Sequence, residues 1–68
     1  MKLMKLTNRK CPGLGKTIYI NPAHIVCISQ AEEGTYIDYP LAEDAYFHVA
    51  ETVEEVARIW EEAMNDRR

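Results

Sequence analysis

The feature that most constrains this 68-residue chain is a helix start near its C-terminal end. Thr52 and Glu55 match the capping box, in which a threonine hydroxyl and a glutamate carboxylate each accept a hydrogen bond from the other residue's backbone N–H. Apolar residues then recur at helical spacing, at Val53, Val56, Ala57, Trp60 and Met64. Such a stripe predicts an amphipathic helix that closes one face of a sheet.

Short runs of alternating apolar and polar residues precede the helix and predict β-strands. They occupy residues 2–7, 17–21, 24–30, 35–39 and 45–51, with turns at AEEG and PLAED between the later ones. The run at 24–30 is apolar on both faces, which is typical of a central strand covered on both sides and predicts a buried Cys27. The chain is therefore expected to form a single α+β domain over residues 1–68, an antiparallel β-meander of four or five strands followed by one C-terminal amphipathic helix.

The segment KCPGLGKT, at residues 10–17, ends like a phosphate-binding loop. The full signature requires a glycine five residues before the GKT glycine, and Lys10 occupies that position. A helix should also follow, with its N-terminus facing the phosphate, whereas TIYINP reads as a strand ended by a proline. We expect a turn-rich loop between two strands, built on Pro12, Gly13 and Gly15.

Composition and charge narrow the possible functions. Apolar residues make up 47% of the chain, which favours an ordered domain over a disordered segment. The formal net charge of −3 argues against general nucleic-acid binding, although the first 16 residues carry only basic charges. No apolar run approaches the ~18 residues of a membrane span, and no signal-peptide core is evident. We expect a cytoplasmic protein with two free thiols and no cofactor.

The cysteines and histidines are candidates for metal binding or catalysis. A zinc site would recruit Cys11, His24, Cys27 and His48. Their spacing is poor, because residues three apart on a strand point to opposite faces. Cys11 lies near two lysines, but no general base or orienting acid accompanies it. We expect neither a metal site nor an enzyme.

The tyrosines say more about function than the cysteines and histidines do. Tyrosine offers a large contact area with a polar tip and is enriched at interfaces. We expect a partner-binding or self-association face formed by Tyr19, Tyr36, Tyr46 and His48, all on predicted strands. The alternative is that these rings only cover the sheet.

Four segments, KLT (5–7), YINPAHI (19–25), GTYI (34–37) and VAETVEEV (49–56), together resemble the FlbD family of short bacterial flagellar proteins, also called SwrD. That resemblance implies a non-enzymatic protein-interaction module that supports motor function. The longer first loop and the acidic PLAED segment differ from the family pattern and suit a relative encoded by a phage or prophage.

Two further functions are compatible with the sequence. A phage-encoded inhibitor of host defence could block a nuclease complex through the acidic surface of residues 32–66. A nucleotide-binding sponge would use Arg9, Lys10 and Lys16 as basic contacts, together with the tyrosines. In each case a homo-oligomer is expected, and for a binding module or inhibitor the partner would be a host or phage protein.

Overall fold

The computed structural model describes residues 2–40 and 45–66, and shows five strands, one short 3-10 helix and one α-helix. In chain order these are β1 (Met4–Thr7), β2 (Thr17–Ile20), the 3-10 helix (Pro22–His24), β3 (Cys27–Gln30), β4 (Thr35–Asp38), β5 (Tyr46–Val49) and α1 (Val53–Met64). The predicted α+β class, its antiparallel strands and its C-terminal helix are confirmed. Most of the predicted PLAED loop, residues 41–44, lies outside the described residues.

The strands divide between two antiparallel sheets rather than one meander. β1 pairs with β2, while β4 lies between β3 and β5. A β-bridge between Asn8 and Val49 joins the two sheets. Around it, the Arg9 N–H donates to the His48 carbonyl at 2.7 Å and the Ala50 N–H donates to the Thr7 carbonyl at 2.9 Å. The end of β1 therefore continues as a partner of β5.

Glu51 extends this junction beyond the point where β5 ends. Its carboxylate accepts hydrogen bonds from the Thr7 N–H at 3.0 Å and from the Thr7 hydroxyl at 3.1 Å. Its carbonyl accepts from the hydroxyl of Thr35, the buried polar residue of β4, at 2.8 Å. The Glu51 carboxylate thus accepts from the Thr7 N–H as the backbone carbonyl of a paired strand would, one residue before the cap of the helix.

The core lies between the sheets and α1. Its buried side chains are Met4, Leu6, Ile20, Ile25, Ile37, Val49, Val56 and Ala63. The alternation predicted for β1, β2, β4 and β5 holds, with Ile18 and Phe47 partly buried against this cluster. The capping box is also present, since Thr52 and Glu55 exchange both hydrogen bonds.

The buried stripe of α1 is rotated relative to the predicted one. Val56 and Ala63 are buried and Ile59 and Trp60 pack beside them, whereas Ala57 and Met64 face solvent. At 3.6 residues per turn, Ala63 returns to within about 20° of Val56, while Ala57 and Met64 lie about 80–100° away. Their inclusion in the stripe was wrong because the true centre line runs from Val56 to Ala63.

The prediction of a central, doubly covered third strand was also wrong. β3 is the edge of its sheet, and β4 is the central strand. Residues 22–24 form the 3-10 helix, capped by the Asn21 side chain at the Ala23 N–H, so the strand starts only at Cys27. Buried Pro22 accepts a hydrogen bond from the Trp60 indole at 3.0 Å, which ties this turn to the helix.

The loop between β1 and β2 is organised by the Asn8 side chain. Its amide donates to the carbonyls of Lys10 at 2.8 Å and Gly13 at 3.0 Å, and its oxygen accepts from the Lys10 N–H at 3.0 Å. The Cys11–Pro12 peptide bond is cis. The loop leads directly into β2 and not into a helix, so the phosphate-loop interpretation is rejected.

Gly34 is expected to be far less replaceable than Gly15. Both have positive φ, +79° and +84°, a conformation that costs an alanine ~1–2 kcal/mol. A Cβ at Gly34 would also overlap the Val49 carbonyl oxygen, whereas a Cβ at Gly15 would meet open space. Gly34→Ala should therefore lower the free energy of unfolding by ~1–3 kcal/mol more than Gly15→Ala, measured by urea titration. Equal losses would contradict the close approach at Gly34.

Replacing Glu51 tests the junction between the sheets. Glu51→Ala leaves the Thr7 N–H without its charged acceptor, so the free energy of unfolding should fall by ~1.5–3 kcal/mol. Glu61→Ala removes an exposed carboxylate from α1 and should change it by no more than ~0.5 kcal/mol. Chemical denaturation of both variants distinguishes the two cases. Indistinguishable midpoints would show that the Glu51 hydrogen bonds contribute nothing to the junction.

Candidate binding surface

Strand alternation places six side chains on the outer face of the three-stranded sheet. Register aligns them in two rows across the strands, Ser29–Tyr36–His48 and Cys27–Asp38–Tyr46. The opposite face carries the core residues Ile37 and Val49. We call the six outer residues the tyrosine face.

The aromatic rings on this face pack against one another. The Tyr36 and Tyr46 rings meet edge to face, with centroids 5.5 Å apart, and the His48 ring lies 4.7 Å from Tyr36. Even so, Tyr36 and Tyr46 remain 37% and 40% exposed. Mutual packing restricts the rotamers of the rings, so the rings themselves lose little side-chain entropy when a partner binds.

His48 is fixed by the turn between β3 and β4. Its Nε2 lies 2.6 Å from the Glu33 carbonyl oxygen, which can only accept, so Nε2 carries the proton and donates. The Glu33 carboxylate forms an ion pair with Arg9. A cleft lined by Glu32, Glu33, Tyr36 and His48 opens beside this contact.

Lys10 reaches the other side of the face from the β1–β2 loop. Its ammonium lies 4.0 Å from the Tyr46 ring centroid and donates to the Tyr46 carbonyl at 3.3 Å. A cation over an aromatic ring at this distance is attracted by the negative face of the π-system. A second groove is lined by Ser29, Tyr36, Asp38 and Tyr46.

The structure brings together some of the predicted site residues and not others. Tyr36, Tyr46, His48 and Lys10 lie close together. Arg9 lies at the edge of the tyrosine face, where it forms an ion pair with Glu33. Tyr19 belongs to the other sheet, where it pairs with Lys5 and is 62% exposed. Lys16 is exposed and immediately precedes β2.

The predicted binding face did not include Asp38, Ser29 or Cys27. The signal was present for Asp38, which alternates with Tyr36 along β4 and therefore shares its side of the sheet. No sequence pattern indicated that Lys10 would lie over Tyr46, because its position depends on how the Asn8 side chain folds the β1–β2 loop.

The four candidate metal ligands do not come together. Within residues 2–40 and 45–66, no three histidine, cysteine or acidic side chains are placed to hold a metal ion. Cys11 and Cys27 are both exposed free thiols, so the prediction of a buried Cys27 was wrong. Cys27 belongs to an edge strand, and its outward register places it on the tyrosine face.

The Cys27 thiol donates to the Asp38 carboxylate at 3.0 Å. This hydrogen bond, with smaller contributions from desolvation and the negative charge of Asp38, raises the pKa of Cys27 above its ordinary value. A raised pKa leaves less thiolate at a given pH, and the thiolate is the nucleophile.

Asp38→Asn should therefore lower the pKa of Cys27 and speed its alkylation. The measurement is the iodoacetamide rate at Cys27 across a pH series, in a Cys11→Ser background so that only one thiol reacts. The rate profile should move to lower pH in the variant. An unchanged profile, or a shift to higher pH, would contradict the assigned hydrogen bond.

No helix among the described residues has the length and apolarity needed to cross a membrane. Comparison of the chain with family models, with curated proteins and with solved structures gives no match in any of the three. The geometry of the tyrosine face is therefore the main basis for a functional interpretation.

Proposed function

We propose that this protein is a non-enzymatic binding module that engages a protein partner through the tyrosine face. The observation that carries this proposal is the pair of edge-to-face tyrosines, both partly exposed, on the adjacent strands β4 and β5. Tyrosine dominates the energetics of many protein interfaces when it lies near their centre. The resemblance of the sequence to FlbD-like proteins agrees with a binding role of this kind.

The surroundings of the tyrosines suit a polypeptide ligand. The groove lined by Tyr36 and Tyr46 also carries the polar side chains of Ser29 and Asp38, and the cleft that shares Tyr36 offers the carboxylate of Glu32. An extended segment could place an apolar side chain in the groove and a neighbouring basic side chain in the cleft, beside Glu32. Apolar anchors surrounded by polar contacts are the usual composition of a protein interface.

The geometry favours a protein partner over a free nucleotide. A nucleotide site needs basic groups that are available to the phosphates. Arg9 is already paired with Glu33, and Lys10 is held over Tyr46. Capturing the partner and identifying it would show whether it is a flagellar protein or a component of a host defence complex.

Replacing both central tyrosines tests this function. Immobilised wild-type protein is exposed to a lysate of the organism from which the gene comes, and a stoichiometric partner is identified by mass spectrometry. Tyr36→Ser/Tyr46→Ser should weaken binding of the purified partner at least tenfold, since central tyrosines contribute about 2 kcal/mol or more. Circular dichroism should be unchanged because both rings lie outside the core.

Tyr19→Ser is the matched control, since it removes an exposed tyrosine from the other sheet. It should bind the partner as the wild type does. Equal binding by the double variant, or an equal loss in the control, would refute the tyrosine face as the binding site. Recovery of a bound nucleotide without any protein would favour the sponge instead.

A further inference from the structure

The outer edge of β3 carries backbone groups that its own sheet does not use. The Ala31 N–H donates to the Gly34 carbonyl at 3.2 Å, which sets the phase of the β3–β4 ladder. Antiparallel pairing alternates hydrogen-bonded and non-hydrogen-bonded pairs, so Ser29 and Cys27 exchange bonds with β4. The alternation ends there, because the Val26 N–H also donates to the Asp38 carbonyl, at 3.0 Å. The N–H and C=O groups of Ile28 and Gln30 then point away from β4, along the edge.

The neighbouring ladders support this phase. On the other side of β4, the Tyr39 N–H donates to the Ala45 carbonyl at 3.3 Å. Residues of β4 therefore turn alternately toward β3 and β5, as regular antiparallel pairing requires. Beyond β5, the bonds of His48 and Ala50 to the end of β1 follow the same alternation. β3 is the strand of this set whose outer side has no strand beside it among the described residues.

This edge lacks the charged residues and prolines that commonly prevent strand pairing. Exposed edges are commonly protected by a lysine, a proline or an inward-pointing charge. Residues 23–31, AHIVCISQA, contain no proline and no lysine, arginine, aspartate or glutamate. By contrast, β2 is bounded by Lys16 and Pro22. The apolar side chain of Val26, just before β3, is 64% exposed.

We propose that β3 pairs antiparallel with β3 of a second copy of this chain, around a two-fold axis. Two identical edges satisfy each other in this arrangement, because each unpaired N–H of one copy meets an unpaired C=O of the other. An edge strand without charge can approach its own copy without repulsion, whereas it offers no charged group to select a different partner. Val26 of each copy adds apolar contact near the paired strands.

This pairing has a geometric consequence for the rest of the surface. A two-fold axis that relates antiparallel neighbours in one sheet is perpendicular to that sheet, so both copies present the same side. The two three-stranded sheets would join into one sheet of six strands, with both tyrosine faces on one side. This dimer does not depend on the proposed partner-binding role, and either can be true without the other.

The test uses one charge at the edge and one away from it. Val26→Lys places an ammonium beside the paired strands, while Leu14→Lys makes the same change at a loop position that is 61% exposed. Sedimentation equilibrium from micromolar to millimolar concentration should show a dimer for the wild type and for Leu14→Lys. Val26→Lys should raise the dissociation constant at least tenfold, with an unchanged circular dichroism spectrum.

Amide hydrogen exchange provides a second readout that does not rely on a variant. Amides of Ile28 and Gln30 should exchange more slowly as the wild-type concentration rises, because pairing protects them. The Ser29 amide, already bonded to β4, should be insensitive to concentration. A monomer at all concentrations would overturn the proposal. A dimer unaffected by Val26→Lys, with no added protection at Ile28 and Gln30, would also overturn it.

Discussion

The junction between the end of β1 and the end of β5 is the interaction on which the rest of this structure depends. The two-stranded sheet depends on its connection to the three-stranded one, since an isolated hairpin is rarely stable in water. Backbone bonds from Arg9 and Ala50 join them, and the Glu51 carboxylate continues the pairing at Thr7. Because Thr52 caps α1 one residue later, the same short stretch also fixes where the helix begins and how it covers the core.

The junction also positions the binding surface. Arg9 leaves β1 toward Glu33, whose carbonyl fixes His48, and the close approach of Gly34 to Val49 holds that turn against β5. On the other side, Asn8 folds the loop that carries Lys10 to Tyr46. The rings of the tyrosine face are therefore supported from both ends by residues adjacent to the same bridge. Rigid support of this kind is what a preorganised interface requires.

Local patterns were sufficient to predict much of this architecture. The capping box at Thr52 and the alternation around Ile37 depend only on neighbouring residues, and both predictions were confirmed. The place of β3 at an edge, and the exposure of Cys27, depend on which strands lie beside each other, and an apolar run cannot specify that. For the site, alternation grouped Tyr36, Tyr46 and His48, but it could not show that Tyr19 lies in a separate sheet or that Lys10 crosses a loop to reach Tyr46.

The position of Lys10 makes the distribution of charge on the tyrosine face asymmetric. Along one row, charge changes sign from the ammonium over Tyr46 to the carboxylate of Asp38 beside Cys27. An extended ligand laid across the strands therefore experiences opposite potentials over β5 and β4, and reversing it would bring like charges together. The ring of Tyr46 also already holds a cation, so a second cation there must displace Lys10, whereas an acidic or neutral group need not. Polarity of this kind would select the orientation of a bound chain as well as its composition.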